Sequence, residues 1–154
     1  MEVAKAVEAA ESDSDVKAHI AKGFYLSSLM AIPDSLNEIT QWTLVYFNPT
    51  EQKVFSVEVT KDSVSKGEAS APLIEADYPE LDHEGALAAG KLLSKLTDVL
   101  VDQREVPTKV IITLRDTEWK VAVVTRSLKM VRVDMDMATG EVKHIDKSSL
   151  VKSA

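Results

Sequence analysis

At 154 residues, 45% of them apolar, the chain is long enough to bury a real core as one domain or two small ones. Its formal charge of −7 works against nucleic acid and anionic membranes, and no basic run with interleaved aromatics offsets that repulsion. Cysteine is absent, which excludes disulfides, thiolate metal ligands and thiol catalysis within the chain and fits a reducing compartment.

The first residues, Met1-Glu2-Val3-Ala4-Lys5-Ala6-Val7-Glu8, lack the apolar stretch of a signal peptide. No segment approaches the roughly 20 apolar residues of a membrane span, so a cytoplasmic protein is expected. Val3, Ala6, Val7 and Ala10 recur at helical spacing within 2–11. Ser12 with Asp15 resembles a capping box opening a short helix over 13–22, and Gly23 closes it as a C-terminal cap. A first strand is predicted over 24–32, stopped by Pro33-Asp34. Trp42 opens the next strand, over 42–47. The polar turn Asn48-Pro49-Thr50-Glu51-Gln52 joins it to a strand over 54–60 in a hairpin. Between 61 and 79 the pattern weakens, punctuated by Gly67, Pro72 and Pro79, and reads as a connection carrying at most a short edge strand.

Asp82-His83-Glu84 is read as the opening of a long helix whose apolar face includes Leu92, Leu93, Leu96 and Leu100. Strands follow over 109–114, 119–124, 129–137 and 141–146. In the turn Ala138-Thr139-Gly140, the glycine can supply the positive φ that such a turn demands.

Two Trp residues half a chain apart, Trp42 and Trp119, each open an apolar strand that a short polar connection links to an alternating one. The economical reading is a duplicated α-β-β-β unit, with residues 1–66 as the first repeat, 67–79 as a linker and 80–154 as the second. The predicted fold class is α+β, with two duplicated helix-on-antiparallel-sheet units that share burial, since a half-chain of this length is marginal alone, either as separate sheets or joined into one longer sheet.

The run Val133-Asp134-Met135-Asp136-Met137-Ala138-Thr139-Gly140-Glu141-Val142 resembles the signature of the PepSY domain, an alternating strand ending in an acidic residue and followed by Thr-Gly-Glu-Val. Val57-Glu58-Val59-Thr60-Lys61-Asp62-Ser63-Val64 stands at the matching place in the first half, without the glycine. The resemblance implies tandem cystatin-like units, helix on antiparallel sheet, and a binding or inhibitory role, often towards peptidases, without a catalytic centre. Tandem units of this shape also occur in the secreted beta-lactamase inhibitor protein, whose joined sheets form a concave binding surface.

No nucleophile elbow, Walker loop, dinucleotide fingerprint or zinc-protease motif is present, and no enzyme is expected. Of the three histidines, His83 reads as part of a capping cluster and His19 as a cover for the core edge. His144, Asp146 and Glu141 have the letters of a metal site, as an exposed acidic hairpin also does, so neither metal nor cofactor is expected. Both Trp residues read as packing between helix and sheet.

The strand over 42–47 supplies the functional expectation. If Trp42, Leu44 and Tyr46 face the helix, then Thr43, Val45 and Phe47 face away, leaving that side unusually apolar. Tyr25, Leu29 and Val54 are assigned to the same side, so the candidate partner-binding residues are Tyr25, Leu29, Val45, Phe47 and Val54. Either the other half covers this surface or a partner does. The expected function is non-catalytic recognition of a protein or peptide, including regulation of a peptidase, with no nucleic acid or membrane partner. A small-ligand carrier with a cavity between helix and sheet is the alternative. Nothing in the sequence assigns an oligomeric state.

Overall fold

Capping and apolar spacing set the two N-terminal helices. The computed structural model describes residues 1–72 and 77–151, so 73–76 of the expected linker and the last three residues of the expected second repeat lie outside it. Helix α1, Val3–Glu11, buries the predicted stripe of Val3, Ala6, Val7 and Ala10. Helix α2, Ser14–Ala21, is capped by Asp13, whose Oδ1 accepts from the amides of Asp15 at 2.9 Å and Val16 at 3.2 Å. Ser12, the expected cap, instead donates its hydroxyl back to the Glu8 carbonyl. Gly23, at φ +108°, closes α2: its amide reaches the Ile20 carbonyl while the Phe24 amide reaches that of His19.

Eight strands are described, seven close to their predicted spans and the short β4 within the expected connection: β1 Tyr25–Ala31, β2 Gln41–Asn48, β3 Lys53–Thr60, β4 Val64–Lys66, β5 Pro107–Arg115, β6 Glu118–Thr125, β7 Lys129–Asp136 and β8 Val142–Ser149. Helix α3, Ala89–Asp102, starts later than its expected opening at Asp82. Gly85 takes φ +78°, outside helical space, and residues around it turn instead. Ala88 offers α3 no side-chain cap. Glu2 replaces it from the other end of the chain, its Oε2 accepting from the Ala89 amide at 2.9 Å, where a carboxylate also meets the positive end of the helix dipole.

The expectation of duplicated, cystatin-like helix-on-sheet units of an α+β protein is corrected by the sheet. All eight strands form one antiparallel sheet in the order β4-β3-β2-β1-β5-β6-β7-β8, and the described residues are about 41% strand against 21% helix. Its physical cause is the seam between β1 and β5, where Leu29 stands opposite Leu114 and Ala31 opposite Ile112. Leu29, Leu114 and Ile112 are fully buried there. Neither half closes its own layer, and the three helices serve a single core.

That core lies between the helices and one sheet face. Trp42 and Trp119 meet within it, ring centroids 6.1 Å apart, and both are completely buried. Each indole keeps its hydrogen bond: Trp42 Nε1 donates to the Met1 carbonyl and Trp119 Nε1 to the Met137 carbonyl. The Thr-Gly turn after β7 packs against α3. Gly140 has φ +72°, and a Cβ there would lie 2.6 Å from both the Leu87 and Lys95 side chains.

Leu92, Leu93 and Leu96 of α3 are buried, as expected. Leu96→Ala should lower unfolding free energy by about 2–5 kcal/mol in urea melts, the range for a core leucine whose cavity relaxes only in part. An unchanged midpoint would place this face of α3 outside the core.

Candidate binding surface

Strand alternation divides the sheet into a face under the helices and an open face. On β2, Trp42, Leu44 and Tyr46 point to the helices and are fully buried, so Thr43, Val45 and Phe47 point away. The register extends that open face across the molecule. One row runs Glu58, Thr43, Met30, Thr113, Lys120, Asp134, His144 from β3 to β8. Beside it, Val45 lies between Ser28 and Ser56, and Ile111 faces Ala122. Short or apolar residues, part-buried, occupy most of the middle strands, with Lys109 and Arg115 towards the two ends of β5; further charge gathers on β6 to β8.

Tyr25, Val45, Phe47 and Val54 lie on the open face, where Tyr25 pairs with Phe47 and Phe47 with Val54. Leu29 does not. The pairing of β1 with β2 slips between Leu26 and Ser28, so this bulge reverses the alternation between Tyr25 and Leu29. Leu29 therefore sits fully buried under the helices, opposite Leu44.

The connection between β4 and α3 covers one end of this face. Tyr78 stacks on Phe47 with ring centroids 4.7 Å apart, leaving Phe47 8% exposed. The Tyr25 hydroxyl donates to the Tyr78 carbonyl at 2.6 Å, Ser27 donates to the Pro79 carbonyl at 2.9 Å, and Arg115 donates to the Asp77 carbonyl. Farther along, the Leu81 amide bonds the Leu26 carbonyl, and Leu81 enters the core. Residues 77–81 thus form a strap across the end of β1. Sequence reading missed Tyr78 because it lies in a segment without periodicity; an aromatic residue between two prolines was its only signal. Of the predicted set, Leu29 is in the core, Tyr25 and Phe47 lie against the strap, Val54 bridges the Ser70 backbone, and Val45 is left part-buried on the open face.

Phe47→Asp should consequently destabilise the fold, because it places a carboxylate beneath the Tyr78 ring. A melting temperature within a degree or two of wild type would show that the strap does not seal this end.

At the charged end, Lys120 bridges Glu118 at 3.3 Å and Asp134 at 3.7 Å, while Lys143 approaches Glu118 and Asp136. The Lys120 ammonium holds the Glu118 carboxyl below its ordinary range. Asp136 is lowered too, chiefly by the Thr139 amide and then by the Thr139 hydroxyl, which together tie the Thr-Gly turn to β7. His144 and Asp146 share the open face of β8, across from Asp134 and Arg132. Among the described residues, no three His, Asp or Glu converge as metal ligands.

Since both carboxyls titrate lower folded than unfolded, their contribution is present above the ordinary carboxylate range and is lost as pH falls through the folded values. Asp136→Ala should therefore lower the melting temperature at pH 7, with the difference from wild type narrowing in acid. An equal difference at every pH would sink this account.

A cleft of about 550 Å³ opens where α2, β1 and the strap meet, floored by Ile20, Phe24, Leu26 and Leu81 and rimmed by Glu11, Glu80, Asp82 and Glu84. Tyr46 reaches its edge and donates to Glu11 at 3.0 Å; burial, then the Glu11 charge, raises the phenol above its ordinary range. His19 covers the core edge beside it, its ring 4.4 Å from Phe55.

No family model matches the chain, and no curated protein does. Among solved structures, a Clostridium difficile 630 protein described as a putative lipoprotein superposes with a TM-score of 0.53 at 10% identity, covering 87% of this chain and 89% of that one. At that identity the likeness is one of fold. Among the described residues, no helix is long and apolar enough to cross a membrane.

Proposed function

We propose that the chain is a non-catalytic binding protein that recognises a protein or peptide across the open sheet face, around Val45, Met30 and Thr113. The observation carrying this reading is a helix-free sheet face whose middle strands hold small and apolar side chains and whose far end is charged. A β1–β2 loop bounds the face at one end, forming a depression with Met30 and Thr43, and the strap bounds it at the other. An extended segment has room between them. A peptidase as partner, and membership of the PepSY family, rest on the resemblance of residues 133–142 and belong to this proposal. So does a cytoplasmic setting, which rests on the absence of cysteine.

The small-ligand carrier is the second reading, favoured by the apolar floor and volume of the cleft beside Tyr46. Peptides selected from a displayed random library separate the two. On the leading reading, bound peptides shift the backbone amide resonances of Met30, Val45 and Thr113, and Val45→Glu reduces their binding at least tenfold without lowering the melting temperature. Shifts confined to Phe24, Leu26 and Tyr46 would transfer the function to the cleft, and no selectable binder would remove the open-face reading.

A further inference from the structure

The two edges of the sheet are finished differently. At one edge, β4 has three residues, and its Lys66 is clamped to Asp13 at 3.0 Å and Asp15 at 2.7 Å. Strand β8, at the other, has eight residues and no proline, and every one of them is exposed. Its outer backbone edge has no strand partner among the described residues. Of the eight exposed large apolar residues among those described, four lie on β8 or the two residues after it: Val142, Ile145, Leu150 and Val151.

Natural edge strands are guarded by lysines that make a second strand costly to dock. Both lysines of β8 are instead engaged with their own chain. Lys147 reaches Glu105 at 3.3 Å and donates to the Gln103 carbonyl at 3.1 Å; Lys143 approaches Glu118 at 3.5 Å and Asp136 at 3.9 Å. Their charge is spent inward, along the sheet.

We propose that β8 pairs with β8 of a second copy of this chain, antiparallel about a two-fold axis, to make one continuous sheet. An axis that keeps all helices on one side requires paired residues to share a face. The register centred on Ile145 then stands out by charge. It sets Ile145 against Ile145 on the helix side, and it sets His144 against Asp146 of the second copy, twice, on the open side. Centring on Asp146 would oppose two carboxylates, and centring on Lys147 two ammonium groups. The Ile145-centred register also brings Lys143 level with Lys147 of the second copy, but the bulge at Lys143 turns it towards Glu118 and Asp136 while Lys147 stays at Glu105. The His144–Asp146 pairs and the apolar contact therefore select this register. The two open faces then merge, doubling the surface available to an extended partner.

Sedimentation across a micromolar concentration range tests this, with the full chain at neutral pH. Wild type should sediment as a dimer, at twice the 16.9 kDa of the chain. Ile145→Lys and Ile145→Glu should each dissociate it at least tenfold more readily, since like charges would meet on the axis. An equimolar mixture of the two variants should restore the dimer, because residue 145 faces itself in this register alone. Melting curves check that both variants fold. Should either unfold, Ile145→Cys provides a single thiol in a chain without cysteine, and mild oxidation should link two copies through it. The directly opposed Cα atoms of an antiparallel pair, about 4.5–5.5 Å apart, suit a disulfide. A wild-type monomer at every concentration would overturn the proposal, as would a dimer that the charge-swapped mixture or the cysteine variant fails to reproduce. Loss of peptide binding by a Val45 variant whose mass is unchanged bears on the open-face function and leaves the β8 edge untouched.

Discussion

Everything in this fold depends on the pairing of β1 with β5. Each strand would otherwise be the exposed margin of a four-stranded layer, with a row of unpaired backbone groups beside Leu29 or Leu114. Pairing them satisfies those groups and puts both leucines in the centre of the sheet. It also brings Trp42 and Trp119 together, so the largest side chains of the two halves share one cavity under the helices. Glu2 at the Ala89 amide adds a polar tie between the same halves.

Much of this was legible from alternation alone. Seven strands fall within a few residues of their predicted places, most of them because their inward positions are apolar and period-two patterning is a strong signal over seven or eight residues, while the three-residue β4 lies in the stretch read as carrying at most a short edge strand. The positive φ of Gly140 was equally readable from its turn. A single continuous sheet was readable only as one option beside separate sheets, since no local property of β1 or β5 distinguishes a pairing across the chain from a free edge. Reading each Trp-led hairpin as part of a duplicated helix-on-sheet unit therefore overstated the share of helix.

The candidate surface shows the same division. Alternation sorted Trp42–Phe47 onto its two sides correctly, and a residue such as Val45 needs nothing more. Leu29 was assigned to the wrong side because one extra residue at Ser27 shifts the phase, and serine in a strand announces no bulge. Phe47 was placed on the right side, but its cover, Tyr78, was not foreseen, because it comes from an aperiodic stretch whose path depends on three backbone carbonyls accepting from Tyr25, Ser27 and Arg115. Side-chain direction is a local property. Cover is a tertiary one.

The seam also has a consequence in time. During synthesis, β1 to β4 emerge before α3 and β5 exist, so β1 must wait with one edge bare until most of the chain has been made. Contacts between such distant segments carry a high loop-closure cost and form slowly. Leu29, fully buried on β1, is therefore left without Leu114, its partner on the far side of the seam, through that interval. A nascent chain paused in this interval presents a sticky strand to its neighbours, and the speed with which the second half is completed sets how long that exposure lasts.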